Sequence, residues 1–308
     1  MAEKDTAAEF RTGYVAIVGR PNVGKSTLLN RLIGQKLSIT SRKPQTTRQR
    51  ITGIVTLDHA QILFVDTPGF QKKHASALNR SMNRAVTQAL TDVDVVLMVV
   101  EAGQFSNEDR EIMAMLPEGK PVLLAVNKTD RLKERRELLP FIDRLAKHRS
   151  FDEIVPVSAS KGHAVSTLCK VIARYLPVAP AIYTDDEITE SSERFLAAEM
   201  VREKLFRLLG DEMPYICAVS IDNFVVEGRL RRIAASIVVD KESHKGIVIG
   251  ARGAMLKTIG ADARAEIEAF LGRKVFLESF VRVDPGWTES AAKVRALKEI
   301  ADELGNRK

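Results

Sequence analysis

The stretch Gly19-Arg20-Pro21-Asn22-Val23-Gly24-Lys25-Ser26 constrains this chain more than any other, because it fits the spacing G-x-x-x-x-G-K-[ST] of a phosphate-wrapping loop. Such a loop requires a strand before it and a helix after it. Residues 14–18 read as a buried strand and residues 27–33 as the start of a helix. A strand, a tight glycine turn and a helix N-terminus together aim several backbone N–H groups and the positive end of a helix dipole at one anion. Lys25 is spaced to reach β- and γ-phosphates and the Ser26 hydroxyl to ligate Mg²⁺, with Gly19, Asn22, Val23, Gly24 and Thr27 completing the cradle.

Val/Ile/Leu runs at 15–18, 51–57, 62–65, 93–100, 122–126 and 154–157 alternate with helical patterns at 78–90, 109–115, 135–147 and 165–175. Near-continuous apolar strands alternating with helices predict an α/β fold with a doubly wound, mostly parallel sheet covered on both faces. Ligands bind such sheets outside the carboxyl ends of the strands, and each motif of the first half falls at one. After residue 176 the pattern changes. Pro177, Pro180 and the acidic run Asp185-Asp186-Glu187 read as a linker, and an α+β pattern follows. The expected division is a tail at 1–12, a nucleotide-binding domain at 13–176, a linker at 177–191 and a second domain at 192–308 ending in a helix.

Two further motifs bear on which nucleotide is bound. Asp66-Thr67-Pro68-Gly69 ends a strand, where Asp66 can hold Mg²⁺ and the Gly69 N–H can meet a γ-phosphate. Asn127-Lys128-Thr129-Asp130 ends another. The Asp130 carboxylate only accepts, which suits the N1–H and amino group on one edge of guanine and leaves adenine unpaired. Backbone N–H groups of Ser158-Ala159-Ser160 are placed to reach the guanine O6.

In the second half, a helix at 193–209 offers Phe195, Met200, Leu205 and Leu209 as an apolar face, and strands follow at 215–221 and 230–239. An apolar segment then ends in Gly250-Ala251-Arg252-Gly253, followed by a helix to 271, a strand at 275–283 and a helix at 289–304. The G-x-x-G loop in this element order is that of a type II KH domain, which clamps about four nucleotides of single-stranded RNA. Lys245, Arg252, Lys257 and Arg264 are the candidate phosphate partners, and Ile249, Met255 and Ile259 the candidate groove walls. Trp287 reads as packing or as a base-stacking platform. The net charge of +7 suits a polyanionic partner.

The motif order G-x-x-x-x-G-K-S, T-T, D-x-x-G, N-K-x-D, S-A-S resembles the P-loop GTPase superfamily. That resemblance implies GTP and GDP as ligands, Mg²⁺ as cofactor, and Thr46 or Thr47 as the residue that closes on Mg²⁺ and the γ-phosphate in the GTP state. Phe70 stands where many GTPases carry the glutamine that orients the attacking water. This departure is shared by a branch holding the Era, tRNA-modification and ribosome-assembly families, in which the asparagine matching Asn22 can bind K⁺. With the KH pattern and Lys43-Pro44-Gln45-Thr46-Thr47-Arg48, the chain from about 13 to 287 resembles the Era family. The resemblance implies a catalytic set of Asn22, Lys25, Thr46, Thr47, Asp66 and Gly69. It also implies binding to the 3′ end of 16S ribosomal RNA, assistance to 30S subunit maturation, and in some members peripheral contact with the inner membrane; DNA is not an expected partner. The alternative is a signalling or membrane-associated GTPase whose second domain binds a protein. No apolar run reaches the ~18 residues of a membrane span. Cys169 and Cys217 lie in separate apolar segments as expected reduced thiols, so the cytoplasm is the expected compartment.

Overall fold

The computed structural model of the protein describes residues 9–41, 43, 46–69, 76–210 and 212–302. Phe70, Pro44, Gln45, Leu304 and the first eight residues, all part of the reading above, lie outside these. Contacts gather the chain into two compact units. One is formed from Met1–Ser38, Arg50–Phe70 and Asn83–Glu190, the other from Ile39–Gln49, Gln71–Met82 and Ser191–Lys308. A contiguous split places residues 39–49 and 76–82 with the nucleotide-binding half, whereas their contacts are with the second unit. Residues 177–190 group with the first.

The first unit is built on a six-stranded sheet of order β2-β3-β1-β4-β5-β6. Its strands are β1 (Arg11–Val18), β2 (Ile51–Leu57), β3 (Ala60–Asp66), β4 (Val95–Glu101), β5 (Val122–Asn127) and β6 (Glu153–Pro156). Only the β2–β3 pair is antiparallel. Every residue of β3, β4 and β5 is buried, as expected of strands covered on both faces. The helices are α1 (Lys25–Ile33), α2 (Ala77–Asp92), α3 (Asn107–Ala114), α4 (Leu138–Ala146) and α5 (Val165–Ala173). Helix α3 begins two residues before the expected 109, because Ser106 and Asp109 form a capping box. The expected linker is tied to this unit: the fully buried Gln61 accepts from the N–H groups of Ile182 and Tyr183 at 2.8 and 2.9 Å, and Ile54 N–H donates to Ile188 O.

The second unit holds α6 (Glu193–Leu208), β7 (Ala218–Glu227), β8 (Leu230–Val239), α7 (Glu242–Ile249), α8 (Ala254–Leu271), β9 (Lys274–Val283) and α9 (Ala291–Asp302). Its sheet has the order β7-β8-β9, with β9 parallel to β8. Ile233, Ala235, Ile237 and Val239 form the buried face of β8, as alternation demands, and Ile259, Ala263 and Ile267 of α8 lie in the same core. The strand expected from 215 starts at 218, since Pro214 opens a short 3₁₀ turn over Met213–Ile216.

Helix α6 departs from a one-faced amphipathic helix: Arg202, Glu203 and Lys204 are buried along with its apolar residues. Their charges are matched. Arg202 pairs with Glu199 and donates to Thr46 O, Arg207 meets Glu203 at 2.7 Å, and Lys204 pairs with Glu266. Residues 39–49 supply part of this cover. Thr40 donates to Glu203, Lys43 Nζ donates to Leu209 O at 2.6 Å, and the buried Arg48 guanidinium donates to the carbonyls of Pro214, Tyr215 and Cys217 at 2.6–2.9 Å. The Arg48 guanidinium also lies about 6 Å from the ring centroids of Phe206 and Trp287.

Trp287 is 2 % exposed, with its indole N–H donating to Ile216 O at 3.0 Å, and packs with Leu78, Met82, Ala218, Val238 and Val294. It is a core residue, not a stacking platform. Trp287→Ala should destabilise the second unit by about 3–5 kcal/mol. Since this is the chain's one tryptophan, urea unfolding followed by far-ultraviolet circular dichroism is the appropriate measurement.

Candidate functional site

The phosphate loop leaves β1 and enters α1 with Gly24 in the left-handed region, φ 101°. A Cβ at Gly24 would collide with Asn127 Nδ2, so glycine is required by close approach as well as by φ. Asn127 is 1 % exposed. Its Nδ2 donates to Val23 O at 2.8 Å and its Oδ1 accepts from Ala159 N–H at 3.0 Å. One amide thereby ties the phosphate loop, the end of β5 and the Ser158-Ala159-Ser160 loop together. Two further bonds reinforce that join: Arg31 of α1 donates to Ala159 O at 3.1 Å and Ser160 O at 2.7 Å.

Lys25 is buried, and its ammonium donates to Gly19 O at 2.8 Å and Arg20 O at 3.1 Å. Burial lowers its pKa to about 8, against the opposing pull of Asp66. The side chain rests on carbonyls of its own loop, inside the cradle a phosphate would fill. Ser26 Oγ donates to Asp66 Oδ2 at 3.1 Å, bringing together two hard oxygen donors immediately behind that cradle. No cluster of three or more His, Cys, Asp or Glu capable of holding a metal occurs among the described residues. A hydroxyl and one carboxylate fit Mg²⁺, which keeps waters and completes its six-fold shell with phosphate oxygens. Gly69 lies against the same loop, since a Cβ there would sit 3.0 Å from Pro21 Cγ. Thr67 Oγ1 fastens this turn to Ile17 O at 2.8 Å. Thr46 and Thr47 are not among the residues gathered here. They belong to the second unit, where Thr47 is buried and Thr46 O accepts from Arg202.

Asp130 is exposed, and the Ser158 hydroxyl donates to its Oδ1 at 2.5 Å, holding the carboxyl below its ordinary value and thus ionised. Lys128 (φ 62°) donates to Asn22 O and to Glu101 Oε2, both at 2.6 Å. Glu101, paired in register with Asn127, also receives Arg131 at 3.5 Å and Arg20 at 3.7 Å, while Arg20 Nε meets the buried Asp109 at 3.1 Å. Sequence reasoning missed Arg20, Glu101, Asp109 and Arg31. Asp109 had a local signal in the capping-box spacing; the others act through residues distant in sequence.

In the second unit, Gly250, Arg252 and Gly253 have positive φ of 71°, 52° and 79°, and a Cβ at Gly250 would come within 2.6 Å of Met255 Cβ. The last residue of this loop, Gly253, lines a groove of about 470 Å³ together with Leu256, Lys257, Gly260, Ala261, Arg264, Leu277 and Ser279. Lys257 and Arg264 stand where basic residues were expected, and Ala251 and Arg252 are exposed on the loop. The apolar walls differ from expectation. Ile259 is fully buried beneath the groove, while Leu256 and Leu277 form its sides; Ile249, Met255 and Lys245 are outside the lining. The i, i+4, i+8 series Ile259, Ala263, Ile267 marks the core face of α8, and that periodicity was available in the sequence.

A 50S ribosome-binding GTPase family model matches residues 14–128, and a KH domain model matches residues 212–288. GTPase Era of Nitrosomonas eutropha is 51% identical over 292 residues, spanning 95% of this chain and 99% of its own. GTPase Era of Bordetella avium is 50% identical over 288 residues, spanning 94% of this chain and 97% of its own. Two solved structures superpose with TM-scores of 0.90 at 41% identity over 94% of this chain. One is Era in complex with MgGDPNP and nucleotides 1506–1542 of 16S ribosomal RNA, covered over 98% of its length. The other is an Aquifex aeolicus Era variant bound to GDP and AlF4⁻, covered over 99%. With about half of all positions identical and near-complete coverage in both directions, the chain belongs to the Era family of GTPases.

Proposed function

We propose that this protein is a GTP-switched RNA-binding protein that engages the 3′ region of 16S ribosomal RNA and assists assembly of the small ribosomal subunit. The observation that carries the RNA half is the 470 Å³ groove that begins at Gly253, with Lys257 and Arg264 in its lining. It has the form of the cleft in which KH folds clamp single-stranded RNA. The binding of an Era relative to nucleotides 1506–1542 of 16S ribosomal RNA supports the choice of RNA.

In this reading Lys25 leaves the Gly19 and Arg20 carbonyls for the β- and γ-phosphate oxygens, and Ser26 and Asp66 hold Mg²⁺. Bound there, the cation neutralises charge on the transferring phosphoryl group. Asp130, kept ionised by Ser158, accepts from the guanine edge, and Gly69 reports the γ-phosphate. Either Thr46 or Thr47 would close on the filled site. Their segment is bonded to the second unit by Arg202 at Thr46 O and by Arg48 at Cys217 O, which is the route by which the nucleotide state would reach that unit.

Three outcomes follow. Asp130→Asn should weaken GDP binding at least tenfold and favour xanthine nucleotides, whose base presents an acceptor there; competition titration measures both. Because the free-site pKa of Lys25 is about 8, GDP affinity should be flat below that pH and fall about tenfold per unit above it, as the ammonium the phosphates need is lost. Titrations at pH 7 and pH 9 should therefore differ by about tenfold. Ala251→Asp with Arg252→Asp should abolish binding to a 16S 3′-end oligonucleotide while leaving GDP affinity unchanged, and RNA binding that survives removes the groove from the mechanism.

A further inference from the structure

Ser38 is 1 % exposed, and nothing in the motif pattern singles it out. Its hydroxyl donates to Asp66 Oδ2 at 2.8 Å, the same oxygen that accepts from Ser26 Oγ at 3.1 Å. The residue is held on both sides of its backbone by one amide from α1. Asn30 Oδ1 accepts from the N–H groups of Leu37 and Ser38, each at 2.9 Å, and Asn30 Nδ2 donates to Ser38 O at 2.8 Å. A backbone gripped this way leaves the Ser38 hydroxyl little freedom but to address Asp66. Ser38 is also the last residue of the first unit before the chain passes at Ile39 into the second.

We propose that Ser38 is a positioning residue of the Mg²⁺ site: it orients the Asp66 carboxylate for the cation and, through Asn30, fixes the root of the 39–49 segment to that site. The proposal rests on the assignment of Ser26 and Asp66 to Mg²⁺. A carboxylate that serves a hydrated cation does so best when its rotamer is set beforehand by donors that are not themselves ligands. Ser26 donates to the same oxygen but is the intended metal ligand, whereas Ser38 can keep its bond to Asp66 while the cation is held. Its bond to Asp66 also means that cation occupancy and the position of residue 38 are felt by one carboxylate. The entry to the 39–49 segment is thereby placed under the influence of the site.

The test is the release of fluorescently labelled GDP from the full-length protein, measured across a Mg²⁺ titration and in EDTA. Outer-shell partners of metal ligands are typically worth 10–100-fold in metal affinity. Ser38→Ala should therefore raise the Mg²⁺ concentration needed to slow release roughly tenfold, with release in EDTA equal to that of the unmutated protein. Ser38→Cys puts a slightly larger but weakly donating group in the same place, so it should shift the titration in the same direction without opening a cavity. An unshifted midpoint in Ser38→Ala, a Cys variant that behaves as the unmutated protein, or faster release in EDTA by the same factor as in Mg²⁺ would overturn the proposal. The last result would make Ser38 a support of the phosphate loop alone. If release from the unmutated protein does not respond to Mg²⁺, the Ser26–Asp66 assignment falls as well, which separates the two failures.

Discussion

The Asn127 side chain, buried at the carboxyl end of β5, spends both ends of its amide on holding three segments together: Val23 of the phosphate loop, Ala159 of the loop after β6, and its own strand. Val23 lies 104 residues before Asn127 and Ala159 lies 32 after it, so the join is not a local one. A buried amide left half-paired would cost about 1–3 kcal/mol, so the arrangement favours one geometry. Gly24 permits the approach by having no Cβ, and Arg31 repeats the join from the α1 side. The Glu101 cluster performs a related task one strand away, drawing Lys128, Arg131 and Arg20 to a single carboxylate. The phosphate loop, the end of β5 and the Ser158–Ser160 loop are thus joined by direct bonds.

A second constraint lies in Arg48. A guanidinium taken out of water is expensive unless its donors are answered, and here three carbonyls of residues 214–217 answer them. The consequence is that a segment expected to belong to the nucleotide-binding half is built into the other unit, together with the first turns of α2, whose Leu78 and Met82 pack beside Trp287. Two of the polar residues buried in α6 are answered in part by this segment, since Arg202 donates to Thr46 O and Glu203 accepts from Thr40 N–H.

Much of this was legible in the chain. The phosphate loop, the Asp66 and Asn127 turns and the glycine loop at 250–253 are local motifs whose function follows from backbone geometry over four to eight residues. The strands at 51–57 and 230–239 are legible from composition alone, and both have those bounds in the structure. Errors arose where a residue's fate depends on a distant partner. Ile259 was set on the groove wall because it neighbours the G-x-x-G loop, whereas helical phase turns it into the core. Helix α6 was assigned one apolar face because charged residues between apolar ones read as solvated, and only their ion-pair partners at 199 and 266 explain their burial.

The sequence by itself determined the chemistry of this protein. The order of its short motifs specified a phosphate cradle, a carboxylate suited to guanine and a loop suited to an RNA backbone, because each of these is encoded by residues close along the chain. The tertiary structure alone decided which distant side chains support them. That Ser38 and Ser26 share one oxygen of Asp66, that Glu101 gathers the cations around Lys128, and that residues 39–49 group with the second unit all depend on crossings of the chain in space. No local periodicity encodes such crossings, since they follow from the packing of whole elements.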